Sequence, residues 1–275
     1  MLFGKILVNS NSFTNQEFKL LKNIVLLKTG IELSEEKIYR ITNRLIKRLK
    51  QQSWSMKQYT KMLETTPKEE QKLINLVTNS STAFFRENQH FEYLKHCYLP
   101  SLLTLKERVR IWSASCSTGE EAYSIAMIVN EILPPFANKD VKILATDINT
   151  QSLWTARFGV YPMSKISELS KPRQLHNFTF QEGEKEAKVK NKLRSMITFN
   201  QLNLIDPWPM KGIFDVIFIC NTLLYFEKTM IQEVLKKMNM FLEPGGLLIV
   251  GHTEGSYEFL QNYNLIGSSI YQKPK

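Results

Sequence analysis

Cysteine is scarce in this chain of 275 residues: Cys97, Cys116 and Cys220 stand far apart. They fit neither a disulfide framework nor a zinc-ligand spacing, which excludes a disulfide-built secreted scaffold and favours a reducing cytoplasm. Equally lacking is any apolar run near the roughly 20 residues that cross a bilayer, so no membrane insertion is expected. Met1 to Asn15 has no cationic stretch followed by a long apolar one, so no secretory signal is expected. No catalytic histidine or metal-ligand cluster stands out, and no metal is expected. Glycine is nearly missing between residues 13 and 76, where Gly30 stands alone. Internal repeats are absent.

What is present is an ordinary globular balance, 43 % hydrophobic and 23 % charged, on a length comfortable for two domains. The net charge of +10 speaks to partners and not to fold. It suits nucleic acid, an anionic membrane or an acidic protein surface, and equally a lysine-rich composition with no such partner.

Residues 13 to about 76 read as a small helical bundle. Phe18, Leu21, Ile24, Val25 and Leu27 recur near helical spacing, with Gly30 as the C-cap. Ser34 before Glu35 and Glu36 reads as an N-cap. The helix it opens carries Ile38, Ile41, Leu45 and Leu49 on one face, and Lys37, Arg40, Arg44, Lys47 and Arg48 mostly on another. Two shorter amphipathic pieces follow, from about Met56 and about Lys68.

The character then changes. Strands are expected at Val109–Ser113, Val141–Thr146, Phe214–Ile219 and Leu247–Val250. Helices are expected at Glu120–Leu133, stopped by Pro134 and Pro135, at Gln151–Phe158 and at Lys228–Leu242. Pro244, Gly245 and Gly246 read as a turn. Strands alternating with helices predict a parallel doubly wound sheet. Between Tyr161 and Ile197 the rhythm breaks, and residues 181 to 194 are highly charged without an apolar period. That stretch reads as an inserted subdomain.

Ligands of such sheets bind beyond the carboxyl ends of the strands. Ser113 to Glu121 is a small-residue turn there, but it lacks the three glycines of a dinucleotide site. Glu120 and Glu121 open the next helix where a pyrophosphate would sit. Two carboxylates repel phosphate and suit a ligand with hydroxyls or positive charge, such as an adenosyl sulfonium; they would also simply complement the helix dipole. Asp147 ends the second strand, where a carboxylate can hold ribose hydroxyls or cap the following helix. Asn221 to Tyr225 follows an apolar strand and either faces the cleft or serves as turn and packing.

Five ordered segments carry a family resemblance. They are Thr82-Ala-Phe-Phe-Arg86-Glu87; Arg110 to Ser124 through Ser-Cys-Ser-Thr-Gly-Glu-Glu; Ala145 to Asn149 with Ala156 to Tyr161; Phe214 to Phe226; and Pro244-Gly-Gly246 with Gly251-His-Thr-Glu254. Together they resemble the CheR family of chemotaxis receptor methyltransferases. The resemblance implies an α/β fold, a doubly wound Rossmann-like methyltransferase sheet behind an N-terminal helical domain and with a small inserted subdomain. It divides the chain into a helical domain at 1–76, a linker with a cofactor-contacting segment at 77–108, and a methyltransferase domain at 109–275 with its insertion at about 162–197. It implies S-adenosyl-L-methionine as cofactor, S-adenosyl-L-homocysteine as product, and glutamate side chains of chemotaxis receptors as methyl acceptors. Carried over residue by residue, Ser80, Thr82, Arg86, Glu120, Asp147, Asn203, Leu204, Asn221 and Thr222 contact the cofactor, and Arg86 and Tyr225 lie near the transferred methyl.

There are departures: Ser80 stands for a family asparagine, Cys220 for an arginine, Ala122 for a proline and Thr253 for a serine. Ser80 and Cys220 bear on cofactor contacts. The expected partners are the cytoplasmic glutamate-rich helices of methyl-accepting receptors, met by the basic helix Lys37–Arg48; a solvated helix face would look the same. Nothing demands more than a monomer. Two rivals are a nucleic-acid methyltransferase and a non-catalytic cofactor-binding module. The first needs prolines after Asn221 and base-stacking aromatics among basic residues, which are missing, so no nucleic acid is expected. Ser80 and Cys220 suggest the second.

Overall fold

The computed structural model describes residues 14–78, 81–134, 137–181, 183–255 and 257–275. Hydroxyl residues ahead of acidic or amide side chains set the helix starts. Helix α1 (Asn15–Thr29) begins at Thr14, whose Oγ1 accepts the Glu17 N–H at 3.2 Å while the Glu17 carboxylate accepts the Thr14 N–H at 2.8 Å. Gly30, at φ +71°, ends it by donating to the Leu26 carbonyl. Ser34 caps α2 (Glu35–Gln52), which buries Ile38, Ile41, Thr42, Leu45 and Leu49. Helices α3 (Met56–Thr65) and α4 (Pro67–Val77) follow, the first capped by Ser55 and the second opened by Pro67. Leu21, Val25, Leu45, Tyr59, Leu63 and Val77 form the core of this unit.

Buried Glu69 of α4 pairs with Arg48 and, at 2.8 Å, with Lys72. Arg48 is therefore spent inside the helical unit and leaves the basic stripe expected on α2; Arg44 and Lys47 stay exposed. A carboxylate shielded from water needs a cation, and Arg48 supplies it.

The chain divides into two compact units between Thr78 and Asn79. The second unit opens with α5 (Gln89–Tyr93), a π turn at Leu94–Tyr98 and α6 (Leu99–Leu105). Next come β1 (Arg108–Ala114), α7 (Glu120–Ile132), β2 (Asp140–Asp147) and α8 (Thr150–Phe158). The insertion holds β3 (Val160–Pro162), α9 (Met163–Ile166), α10 (Lys171–Asn177), β4 (Phe178–Phe180), β5 (Glu186–Val189) and α11 (Asn191–Arg194). The chain closes with β6 (Ile197–Gln201), β7 (Phe214–Ile219), α12 (Lys228–Phe241), β8 (Leu242–Val250), β9 (Asn264–Gly267) and β10 (Ile270–Gln272).

The main sheet has seven strands in the order β6-β2-β1-β7-β8-β10-β9. The first five run parallel; β10 is antiparallel to β8 and to β9. The sheet is thus mixed, where the sequence predicted a parallel one. The closing hairpin strands are short, and β9 is largely exposed, so neither presents a long apolar run. Alternation sorts the residues by face. Val109, Ile111, Val216, Phe218, Leu247 and Ile249 pack with α7 on one side; Trp112, Ile217, Ile219, Leu248 and Val250 pack with α12 on the other. Each such burial contributes about 1.5–3 kcal/mol.

Pro244, Gly245 and Gly246 lie inside β8 and not in a turn before it. The β7–β8 register shifts between Phe214 and Val216. At Gly246 a Cβ would stand 2.9 Å from the Asp215 carbonyl, so only glycine fits the irregularity. The insertion is a three-stranded antiparallel sheet, β3-β5-β4. Its β5 does alternate, with Ala187 and Val189 buried between exposed Glu186 and Lys188. Four residues are too few for a period to show among the charges.

Candidate functional site

The turn from β1 to α7 is built by unusual backbone. Ser115 and Ser117 adopt φ +62° and +49°, and Gly119 φ +97°. A Cβ on Gly119 would stand 2.8 Å from that of Ala156, so α8 and the turn approach as closely as they do only with glycine here. Among the described residues seven non-glycine residues have positive φ, and five of them (Phe85, Glu87, Ser115, Ser117 and Asn221) lie on the segments the sequence assigned to the site. Strain of this kind gathers where a fold holds ligands.

Asp147 ends β2 and braces that turn. Its Oδ2 accepts the Ser117 N–H at 2.8 Å, and its Oδ1 accepts the Asn149 N–H at 2.7 Å. Helix α8 is capped by Asn149, whose Oδ1 accepts the Ser152 N–H at 2.9 Å, so Asp147 is not the cap. Burial pushes the Asp147 pKa up to about 6, against the N–H groups that favour the charged form.

Glu120 is fully buried at the start of α7. Its Oε2 accepts the Thr118 hydroxyl at 2.6 Å and its Oε1 accepts Lys165 Nζ. Glu121 turns elsewhere, accepting the Ser113 hydroxyl at 2.6 Å, and burial pushes its pKa up to about 7. Cys220 stands where the family resemblance implies an arginine, and the carboxylates of Glu121, Glu254 and Glu87 all act on it. A thiol at this position brings no positive charge to the three carboxylates, which rely instead on neutral donors: Ser113 for Glu121, Asn221 and His252 for Glu87, and main-chain N–H groups for Glu254.

Beyond β7, Asn221 has φ +55°. Its side-chain amide donates to Glu87 Oε1 at 3.0 Å, and Glu87 Oε2 accepts the His252 N–H at 3.0 Å. Arg86, exposed and donating to the Ser81 carbonyl at 3.2 Å, therefore sits on a segment tied to the loop of Asn221, Thr222 and Tyr225. Thr82 is half-buried, and its carbonyl accepts Lys165 Nζ at 3.3 Å. Asn203 follows β6, in a loop whose Leu202 N–H donates to the Asp147 carbonyl at 3.0 Å. The Leu204 side chain packs into the core, and its carbonyl accepts Trp208 Nε1 at 3.2 Å and Lys237 Nζ at 2.7 Å. Ser80 lies outside the described residues.

The structure thus joins Thr82 with Glu120, and Asn221 with the Arg86 segment. Glu87, Glu254 and Lys165 escaped the sequence reading as site residues. Glu87 and Glu254 close two of the quoted segments, which was the available signal; Lys165 had none. Among the described residues no group of three or more histidine, cysteine or acidic side chains could hold a metal ion, and no helix is long and apolar enough to cross a membrane.

Two buried carboxylates fit a ligand offering hydroxyls and a positive charge, as an adenosyl sulfonium with an α-ammonium does; they do not fit a pyrophosphate. The comparisons agree. Residues 80–271 match the CheR methyltransferase SAM-binding domain, and residues 16–78 the CheR methyltransferase all-alpha domain. A chemotaxis protein methyltransferase of Borreliella burgdorferi is 36 % identical over 96 % of this chain and 99 % of its own. Chemotaxis protein methyltransferase 2 of Pseudomonas aeruginosa is 35 % identical over 94 % of this chain and 93 % of its own. That of Escherichia coli is 33 % identical over 96 % and 93 %. The chain belongs to the CheR methyltransferase family and is an S-adenosylmethionine-dependent methyltransferase.

Proposed function

We propose that this chain methylates glutamate side chains of chemotaxis receptors, forming glutamate methyl esters in sensory adaptation. The observation that carries the reading is the Asn221–Glu87 hydrogen bond, 3.0 Å long, which ties the segment of Arg86 to the loop of Tyr225. The relatives named as chemotaxis protein methyltransferases support it.

The chemistry suits these residues. Bound S-adenosylmethionine supplies a methyl group on positively charged sulfur and leaves as S-adenosylhomocysteine. A glutamate, with a reference pKa of about 4.3, is already an anion at neutral pH, so no strong general base is needed. The protein's part is to position and desolvate. Glu120 and Asp147 hold the adenosyl and amino-acid groups, with Asn203, Asn221 and Thr222 beside them. Arg86 presents a planar fork that can orient both oxygens of the incoming carboxylate. Tyr225, about a third exposed on a 3-10 turn, donates one hydrogen bond or shapes the cleft. Helix α2 offers exposed Arg44 and Lys47 to a glutamate-rich receptor helix, where opposite charge favours encounter.

The test is transfer of radiolabelled methyl from S-adenosylmethionine to membranes containing the chemoreceptors of the source organism, followed by mild base. Label released as methanol establishes carboxyl methylation. Absence of label, with cofactor binding demonstrated in the same preparation, would overturn the substrate assignment.

A further inference from the structure

Lys165 belongs to α9, in the inserted subdomain, and none of the family motifs includes it. Its ammonium nevertheless donates to two groups outside the insertion: the Thr82 carbonyl at 3.3 Å and the Glu120 carboxylate. Three separate pieces of chain therefore meet at one cation. The surroundings hold that meeting point. Tyr161, on β3, donates its hydroxyl to the Thr118 carbonyl at 2.6 Å, two residues before Glu120. Phe84 packs edge-on against Tyr161 and Phe178, with ring centres 5.0 and 5.6 Å apart. Arg173 of α10 stacks its guanidinium 3.8 Å over the Phe85 ring. On the other side the Phe85 N–H donates to Ser124 Oγ of α7 at 2.9 Å. The segment from Thr82 to Phe85 is thus held between the insertion and α7, and Lys165 is the ionic link across it.

We propose that Lys165 is a positioning residue for the cofactor: it fixes Glu120 and the Thr82 segment relative to each other and gives the buried carboxylate a cation as its partner. This rests on the reading that Glu120 lines the cofactor site. Glu120 is fully buried, whereas Lys165 keeps about a third of its side chain in solvent. A shielded carboxylate is costly to keep ionised without a partner cation, so the arrangement supplies one at little desolvation cost to the lysine. A carboxylate has about four lone-pair positions. The Thr118 hydroxyl and Lys165 use one each, which leaves acceptor capacity for a ligand ammonium or hydroxyl.

The experiment is calorimetric titration of the full chain with S-adenosylhomocysteine, alongside thermal melting. Lys165→Met should weaken binding about tenfold to a hundredfold, the span of one charge-assisted hydrogen bond. Lys165→Arg should bind within about threefold of the parent, since it keeps the charge. In a Glu120→Gln background, Lys165→Met should cost little more, because the two residues act as one unit. In turnover, the KM for S-adenosylmethionine should rise with a smaller change in kcat. Unchanged or tighter binding by Lys165→Met overturns the proposal, as does a loss that arginine does not restore. If Lys165→Met melts early, Lys165→Gln replaces it in the same titration and is read the same way. Should Glu120→Gln alone leave affinity intact, the cofactor-site reading fails as well; if Glu120→Gln binds poorly while Lys165→Met binds normally, only this proposal fails.

Discussion

Glu254 holds the loop of Asn221 from beneath. Its Oε2 accepts the N–H of Asn221 at 2.7 Å and of Gly251 at 2.8 Å; its Oε1 accepts the N–H of Thr222 at 2.7 Å and of Leu224 at 3.2 Å. The carboxylate is wholly buried. One side chain thereby satisfies three main-chain donors after β7 and one after β8, and sets the backbone from which Asn221 and Tyr225 project.

Glu254→Gln keeps the shape but turns an N–H2 group toward two of those donors. It should lower unfolding free energy by about 2–3 kcal/mol, and Glu254→Ala by more, because buried donors are then left unmade. Urea unfolding checks this. A loss below about 1 kcal/mol for both variants would show that the loop does not depend on the carboxylate.

Glu121 makes stability depend on pH with a defined sign. Its pKa is raised from 4.5 to about 7 by burial. The folded chain then binds more protons than the unfolded chain between those values, so this contribution is complete below the unfolded pKa and is lost as pH rises toward 7. Glu121→Gln should therefore flatten the fall in melting temperature between about pH 5 and 7, and should be relatively more stable than the parent at pH 8. An unchanged pH slope in the variant would refute the assignment.

Arg86→Ala should reduce transfer to the acceptor far more than cofactor binding. The expected outcome is a fall of about a hundredfold in kcat/KM for the acceptor, with a clearly smaller loss of affinity for S-adenosylhomocysteine. Equal losses in turnover and titration would remove Arg86 from its role as the carboxylate clamp.

Gly119→Ala meets both an unfavourable φ and a neighbour at 2.8 Å. Destabilisation of about 2 kcal/mol or more is expected, with weakened cofactor binding, because the β1–α7 turn must move away from α8. A parent-like denaturation midpoint would mean that the turn yields freely.

On α2, Arg44→Glu combined with Lys47→Glu should slow receptor methylation and weaken its dependence on salt. Both side chains are exposed, and reversing their charge should leave the fold intact. Measured initial rates that match the parent at low and at high salt would assign the stripe to solvation alone.

Much of this molecule follows from short-range rules. The caps at Ser34 and Gly30, the apolar face of α2 and the long strands β1, β2 and β7 depend on residues a few positions apart, so the chain itself displays them. The places of Glu120 at a helix's start and Asp147 at a strand's end were legible too, because the same periodicity sets where those elements begin and stop. Distance in sequence hid the rest. Asp147 as a brace for the turn, with Asn149 the cap, depends on where Ser117 falls after folding. Glu254 is 33 residues from Asn221, and Lys165 is 45 from Glu120. Arg48 left the basic stripe because Glu69 folds back beneath it, and the antiparallel β9–β10 hairpin is too short to announce itself. Local periodicity and capping chemistry decide elements, whereas the partner of a buried charge is decided only when packing removes water and leaves that charge the nearest opposite one.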